Sequence, residues 1–245
     1  MSNKPRQIAL DHSLLQLPSN HTQLIGSHSK HNSADVTPAD RAHALLDLAI
    51  ALVESALDIL NEHITSDQQL RHQSRLMPGG TVGKHFRHVI ETFNAFLLPL
   101  QPYSPSSPDP SPIPLEIDYD SLLPSSRRIT ARSLTACRKA TAAVLSSLTA
   151  WRDRAGHSLP AEMDRNVRLV AVTPTRQEVG STIGRELWFC ALHAIHHFSM
   201  LRTIAVHELS IHLPVEFGTA PSTLLYRGDG WKAPGEDVKV VKARL

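Results

Sequence analysis

The sequence predicts an all-α protein, a four-helix bundle with long crossover connections, and three observations carry that expectation. Four stretches repeat apolar residues at the spacing of a helix surface, the first opened by Thr37 as a candidate N-cap and the third by serines suited to capping. Only one short stretch alternates like a strand, and it stands just before the last helix. A 245-residue chain with 41% hydrophobic residues also has the apolar material for a real core.

Residues 1–36 form a polar Ser/Asn/Gln-containing leader with no sustained period, read as mostly disordered, in which His12, His21, His28 and His31 are scattered. A solvated tail is the preferred reading, ahead of a metal-buffering one. The expected bundle covers 37–226. "TPADRAHALLDLAIALVESALDILNEHI" opens it with Thr37 as N-cap, Pro38 in the first turn and Asp40 close behind. Leu45, Leu48, Ala49, Leu52, Val53, Ala56, Leu57 and Leu60 then mark the buried face of helix one. Helix two, "TVGKHFRHVIETFNAFLLPL", follows the turn signal "MPGG" and runs from Thr81 until Pro99 ends it.

Residues 99–124 hold much of the chain's proline and predict a long extended connection. "SPSSPDPSPIP" inside it has PxxP-like spacing, for which a linker is preferred over a partner-binding motif. Helix three, "SSRRITARSLTACRKATAAVLSSLTAW", carries Ile129, Leu134, Cys137, Ala140, Val144, Leu145 and Leu148 on its apolar side. "NVRLVAVTPTRQEVG", with Val167, Leu169 and Ala171 alternating before a Thr-Pro break, predicts a short strand or hairpin. Helix four runs from about Ser181 to Glu208; turns follow, and 227–245 is a C-terminal tail.

The balance of 25 Lys+Arg against 23 Asp+Glu, without a basic block interleaved with aromatics, argues against nucleic acid as a partner. Cys137 and Cys190 lie far apart without CxxC spacing, which suits a reducing compartment. No N-terminal apolar run is long enough for a signal peptide, and charge or histidine interrupts the longer apolar stretches. The expectation is a cytoplasmic protein without a membrane span.

Histidine is the unusual component, with 15 residues. In "GRELWFCALHAIHHFSM" of helix four, His193 and His197 are four apart and share a face, with Glu186 seven residues before His193 between them. Cys190, Ile183, Leu201 and Ile204 lie on or beside that face; Arg185, Ser199 and Thr203 lie opposite. His196 projects about 100° from His197, toward the polar edge.

Two imidazoles one turn apart can give a metal two ligands, and helix two offers a third in "GKHFRH", where His85 and His88 are one turn apart. Hydrogen-bonded core histidines are the other reading of the same spacing. Cys190 reads as a small buried apolar residue rather than a nucleophile. Glu186 reads first as an acceptor for an imidazole N–H, with a fourth ligand or an exposed first-turn residue as alternatives.

"TVGKHFRHVIETF", "HAIHH" and "EFGTAPSTLLYR" together resemble the DinB-like (DinB/YfiT) superfamily of metal-binding four-helix bundles, in an uncharacterised branch, over roughly residues 40–226. The resemblance implies His88, with Glu91 three residues later, joining His193 and His197 around a divalent metal with open positions for water. The helical wheel instead puts His85 nearer the apolar face of Val82, Val89, Phe93 and Phe96, leaving His85 as substitute ligand or supporting partner. Zinc, nickel, iron and manganese all suit imidazole ligation.

The resemblance further implies a thiol-dependent transferase or a hydrolase acting on a small molecule not named by the sequence, with Glu186 or Glu91 as candidate proton movers. A non-catalytic bundle with a structural ion is the alternative. A homodimer is a possible assembly.

Overall fold

Helix-start chemistry is where the sequence acts most directly on the structure. The computed structural model describes residues 36–100, 115–120, 127–172 and 174–227. Thr37 caps α1 (Pro38–Asp58) through a reciprocal box: its hydroxyl accepts the Asp40 N–H at 3.1 Å, while the Asp40 carboxylate accepts the Thr37 N–H at 3.0 Å. Thr81, Ser133 and Thr182 cap α3 (Val82–Leu97), α5 (Leu134–Ala155) and α7 (Ile183–Leu209) with the hydroxyl alone, which accepts the backbone N–H of Lys84, Ala136 and Arg185 respectively. The chain is mostly helical, with one small three-stranded sheet.

The four long helices share one core. Their principal contacts run α1 to α5, α5 to α3, α3 to α7 and α7 back to α1. Trp151, Phe86, Phe93, Phe96, Phe198, Leu46 and Leu60 are sealed within it. Trp151 meets Phe96 edge-on at 5.7 Å, and its indole N–H donates to Glu162 at 2.7 Å, satisfying a group that burial would otherwise strand. No helix among the described residues is long and apolar enough to cross a membrane.

The sheet carries the order β1-β2-β3, from β1 (Leu115–Asp118), β2 (Asn166–Val172) and β3 (Arg176–Thr182). β2 and β3 form the expected antiparallel hairpin, with Asn166 opposite Thr182 and Val172 opposite Arg176. β1 pairs parallel to β2, with Leu115 opposite Val167. Ile117 and Val167 turn into the core, while Arg168, on the opposite face of the sheet, bridges Glu116 and Glu178 across all three strands.

Several sequence expectations need correction. The proline-containing connection is not featureless, because β1 lies inside 99–124 and gains its hydrogen bonds from β2, a partner some fifty residues away that local periodicity does not reveal. Helix three is divided: a short α4 (Arg127–Thr130) precedes a turn, Ser133 recaps the chain, and Ile129 is exposed rather than core. Short helices α2 (Asp67–Arg71), α6 (Leu159–Met163) and α8 (Pro221–Arg227) escaped the reading, α8 standing where only turns were expected. The leader with its four histidines, the PxxP-like stretch and the C-terminal tail lie outside the described residues.

Gly83 fixes how α3 meets its surroundings. A Cβ there would lie 2.2 Å from the Ala131 carbonyl oxygen, a backbone atom that cannot swing aside. Gly83→Ala is therefore expected to lower stability by about 2 kcal/mol, as overpacked cores do. Chemical denaturation checks this; an unchanged midpoint and slope would show that the two backbones separate freely.

Candidate metal centre

α3 and α7 are in direct contact and bring four histidines together. On α7, the i, i+4 spacing stacks His193 and His197 on one face, with ring centroids 4.6 Å apart. From α3, His88 closes the triangle, its ring 4.9 Å from that of His193 and 4.7 Å from that of His197. One nitrogen from each of these three rings lies within 4.8 Å of the others, so the group could hold a metal ion. Only modest side-chain adjustment would bring them to a common centre at the ~2.1 Å of an imidazole–metal bond.

His85 is more buried than His88 and sits behind the triangle. Its Nδ1 lies 2.9 Å from Nδ1 of His197, a hydrogen bond in which one ring donates and the other accepts. Its Nε2 is buried without a hydrogen-bond partner, and the chain at Gly80 passes so close that a Cβ there would stand 3.2 Å from that atom. His85 is thus the more buried of the two and touches His197, while His88 lies against both His193 and His197. His196 is exposed at the edge, its ring 5.3 Å from that of His197.

Burial and mutual repulsion keep His85, His193 and His197 neutral. Burial first, then neighbouring His88 and His196, lowers His193 to about 4. Burial followed by His193, His88, His85 and His196 lowers His197 to about 3, and burial also lowers His85. Neutral imidazoles present lone pairs, which is the protonation state a metal requires.

Acid stability follows from the same shifts. As pH falls below about 6.5, the unfolded chain takes up protons that folded His193 and His197 refuse, so their contribution to stability, full above that value, is lost toward pH 4 and then 3. In metal-free protein, His193→Ala/His197→Ala should flatten the fall in stability between about pH 7 and pH 4. Urea titrations across that range test it, and identical slopes in the two proteins would contradict it.

Glu186 departs from the expectation of an imidazole acceptor. Fully buried, it accepts from the Ser181 hydroxyl at 2.5 Å, Arg185 at 2.8 Å and the Tyr119 hydroxyl at 3.0 Å, and from no imidazole among the described residues. Glu91 pairs with Arg87 at 3.3 Å on the same helix. Neither carboxylate belongs to the three-histidine group.

Tyr119 is the neighbour that sequence reasoning missed. It follows β1, touches Cys190 at 3.5 Å and packs on Phe189, whose ring stacks on His193 at 5.3 Å. Burial, then Cys190 and Glu186, drives its ionisation far above the ordinary tyrosine range, so it remains an O–H donor. Burial pushes the Cys190 thiol up to about 12, which makes it an inert packing group at neutral pH.

The loop entering α3 is tied to the far end of α7. Glu208 accepts from His72 at 2.6 Å, the Ser74 hydroxyl at 2.7 Å and the Leu76 N–H at 2.9 Å. The Leu76 N–H leads the contacts that hold this carboxyl down at about 2. The loop therefore has a fixed approach to Thr81 and the histidines beyond it.

No family model and no solved structure match the chain. It is similar to FK506-binding protein 5 of Rhizopus delemar, with 25% identity over 179 residues, which are 73% of this chain and 37% of that protein. The chain thus spans little more than a third of that relative's length.

Proposed function

We propose that this protein is a divalent-metal-binding four-helix bundle of the DinB-like kind, with crossover connections, and that His88, His193 and His197 are its ligands. The observation that carries the reading is the convergence of three imidazoles from two helices, each offering a nitrogen within 4.8 Å of the other two. Three nitrogen ligands leave at least one position open, the arrangement of catalytic rather than closed structural sites. Zinc, nickel, iron and manganese fit this donor set.

An ion bound there would supply Lewis acidity to a water or a substrate thiol at the open position, the chemistry of a thiol-dependent transferase or a hydrolase. The chain's own groups act around it. His197 with its proton on Nδ1 donates to His85 and leaves Nε2 as a lone-pair donor, so His85 orients the ligand ring. Phe189 supports the His193 ring from one side, and Cys190 remains a packed thiol. The FK506 binding in the relative's name is not carried to this chain.

Assays of thiol addition to electrophiles and of ester or amide hydrolysis, with each metal loaded in turn, test the reading. Turnover should vanish on chelation while helical content persists. Turnover unaffected by chelation and by His193→Ala would remove the metal from the reaction; metal binding without turnover would favour the non-catalytic alternative.

A further inference from the structure

The sequence contains no basic block, yet the fold assembles one. Arg71 from α2, Lys84 and Arg87 from α3, and Arg128 and Arg132 around the turn between α4 and α5 line one cavity of about 380 Å³. No acidic side chain among the described residues lines it.

Countercharge is sparse. Asp67 stands 3.9 Å from Arg71, but its Oδ1 already accepts the Leu134 N–H at 2.7 Å. Glu91 takes Arg87, and the Lys84 ammonium donates to the Gly79 carbonyl at 2.7 Å. Arg128 and Arg132 have no ion-pair partner among the described residues.

This convergence is built into the backbone. Gly83 lets α3 close onto the Ala131 carbonyl, and Asp67 ties α2 to the start of α5. The cations therefore approach one concavity from α2, from α3 and from the turn between α4 and α5. Like charges so placed repel one another and concentrate positive potential, which an anion relieves. Arginine forks match the oxygens of phosphate and carboxylate, and the volume is that of a small-molecule site. Among the described residues no aromatic side chain lines the cavity to stack a base, which disfavours single-stranded nucleic acid.

We propose that this cavity binds a compact polyanion, a small molecule carrying phosphate or several carboxylate groups. The inference stands independently of the metal centre.

Isothermal titration of the full chain with inorganic pyrophosphate, and separately with citrate, tests it after treatment with chelator and buffer exchange. Saturable binding of at least one of them is expected, weakening as salt rises, and the tighter one identifies the anion class. Arg128→Ala/Arg132→Ala, at exposed positions where folding should persist by circular dichroism, is expected to weaken binding about tenfold or more. His193→Ala/His197→Ala should leave it unchanged. No saturable binding of either probe would overturn the proposal, as would equal affinity in the arginine variant. So would an RNA or DNA oligonucleotide that binds this face and is not displaced by pyrophosphate.

Discussion

Alanine in place of His88, His193 or His197 is expected to lower divalent-metal affinity by more than about 100-fold, because loss of a mere outer partner of a ligand already costs ~10–100-fold. Each of the three supplies one corner of the triangle, and no fourth donor among the described residues belongs to the group. His85→Ala belongs in the lower range, since His85 touches His197 and its removal frees that ring to turn. His196→Ala should be nearly silent: its ring neighbours those of His193 and His197, but it is exposed and outside the group. Competition with a chromophoric chelator measures all five variants on one scale. Equal losses across them would mean that binding is diffuse, and a large loss at His85 alone would mean that the third ligand has been misassigned.

Glu186→Ala should cost about 3 kcal/mol of stability, since hydroxyls left buried without a partner cost ~1–3 kcal/mol each. Tyr119 and Ser181 lose their acceptor together, and the vacated volume lies where the sheet meets the start of α7. Arg185 is half exposed and can turn to water, so its lost ion pair adds little. Glu186→Gln retains an acceptor oxygen and should recover much of the loss. Denaturant unfolding of the two variants, compared with their metal affinity, separates the roles: a stability loss with nearly unchanged affinity is expected, and the reverse pattern would restore Glu186 to the metal's surroundings.

What could be read from the sequence was what local rules encode. Capping chemistry acts within three residues, so Thr37 was legible as the cap of α1 and the start of α3 at Thr81 was legible too, while the start of α7, expected at about Ser181, is capped by Thr182. The inward pairing of His193 and His197 followed from helical pitch, as did the exposure of His196. The choice between His85 and His88 did not follow, because it depends on how α3 lies against α7; the structure puts His88 against both rings and His85 behind one.

The failures share a cause in distance along the chain. β1 exists through pairing with β2, and Tyr119 becomes Glu186's partner only once that strand has placed it. The basic cavity is similarly invisible in sequence, its cations being drawn from residues 71 to 132 and gathered by the close contact at Gly83.

Elemental analysis of the purified, untagged protein beside His193→Ala/His197→Ala bears most directly on the metal centre. About one equivalent of a divalent metal in the parent protein, lost in the double variant while its helical content is retained, is the expected result. A parent protein that takes up no metal on reconstitution at neutral pH, or a double variant that keeps the full equivalent, would contradict it and leave the imidazoles as hydrogen-bonded core residues.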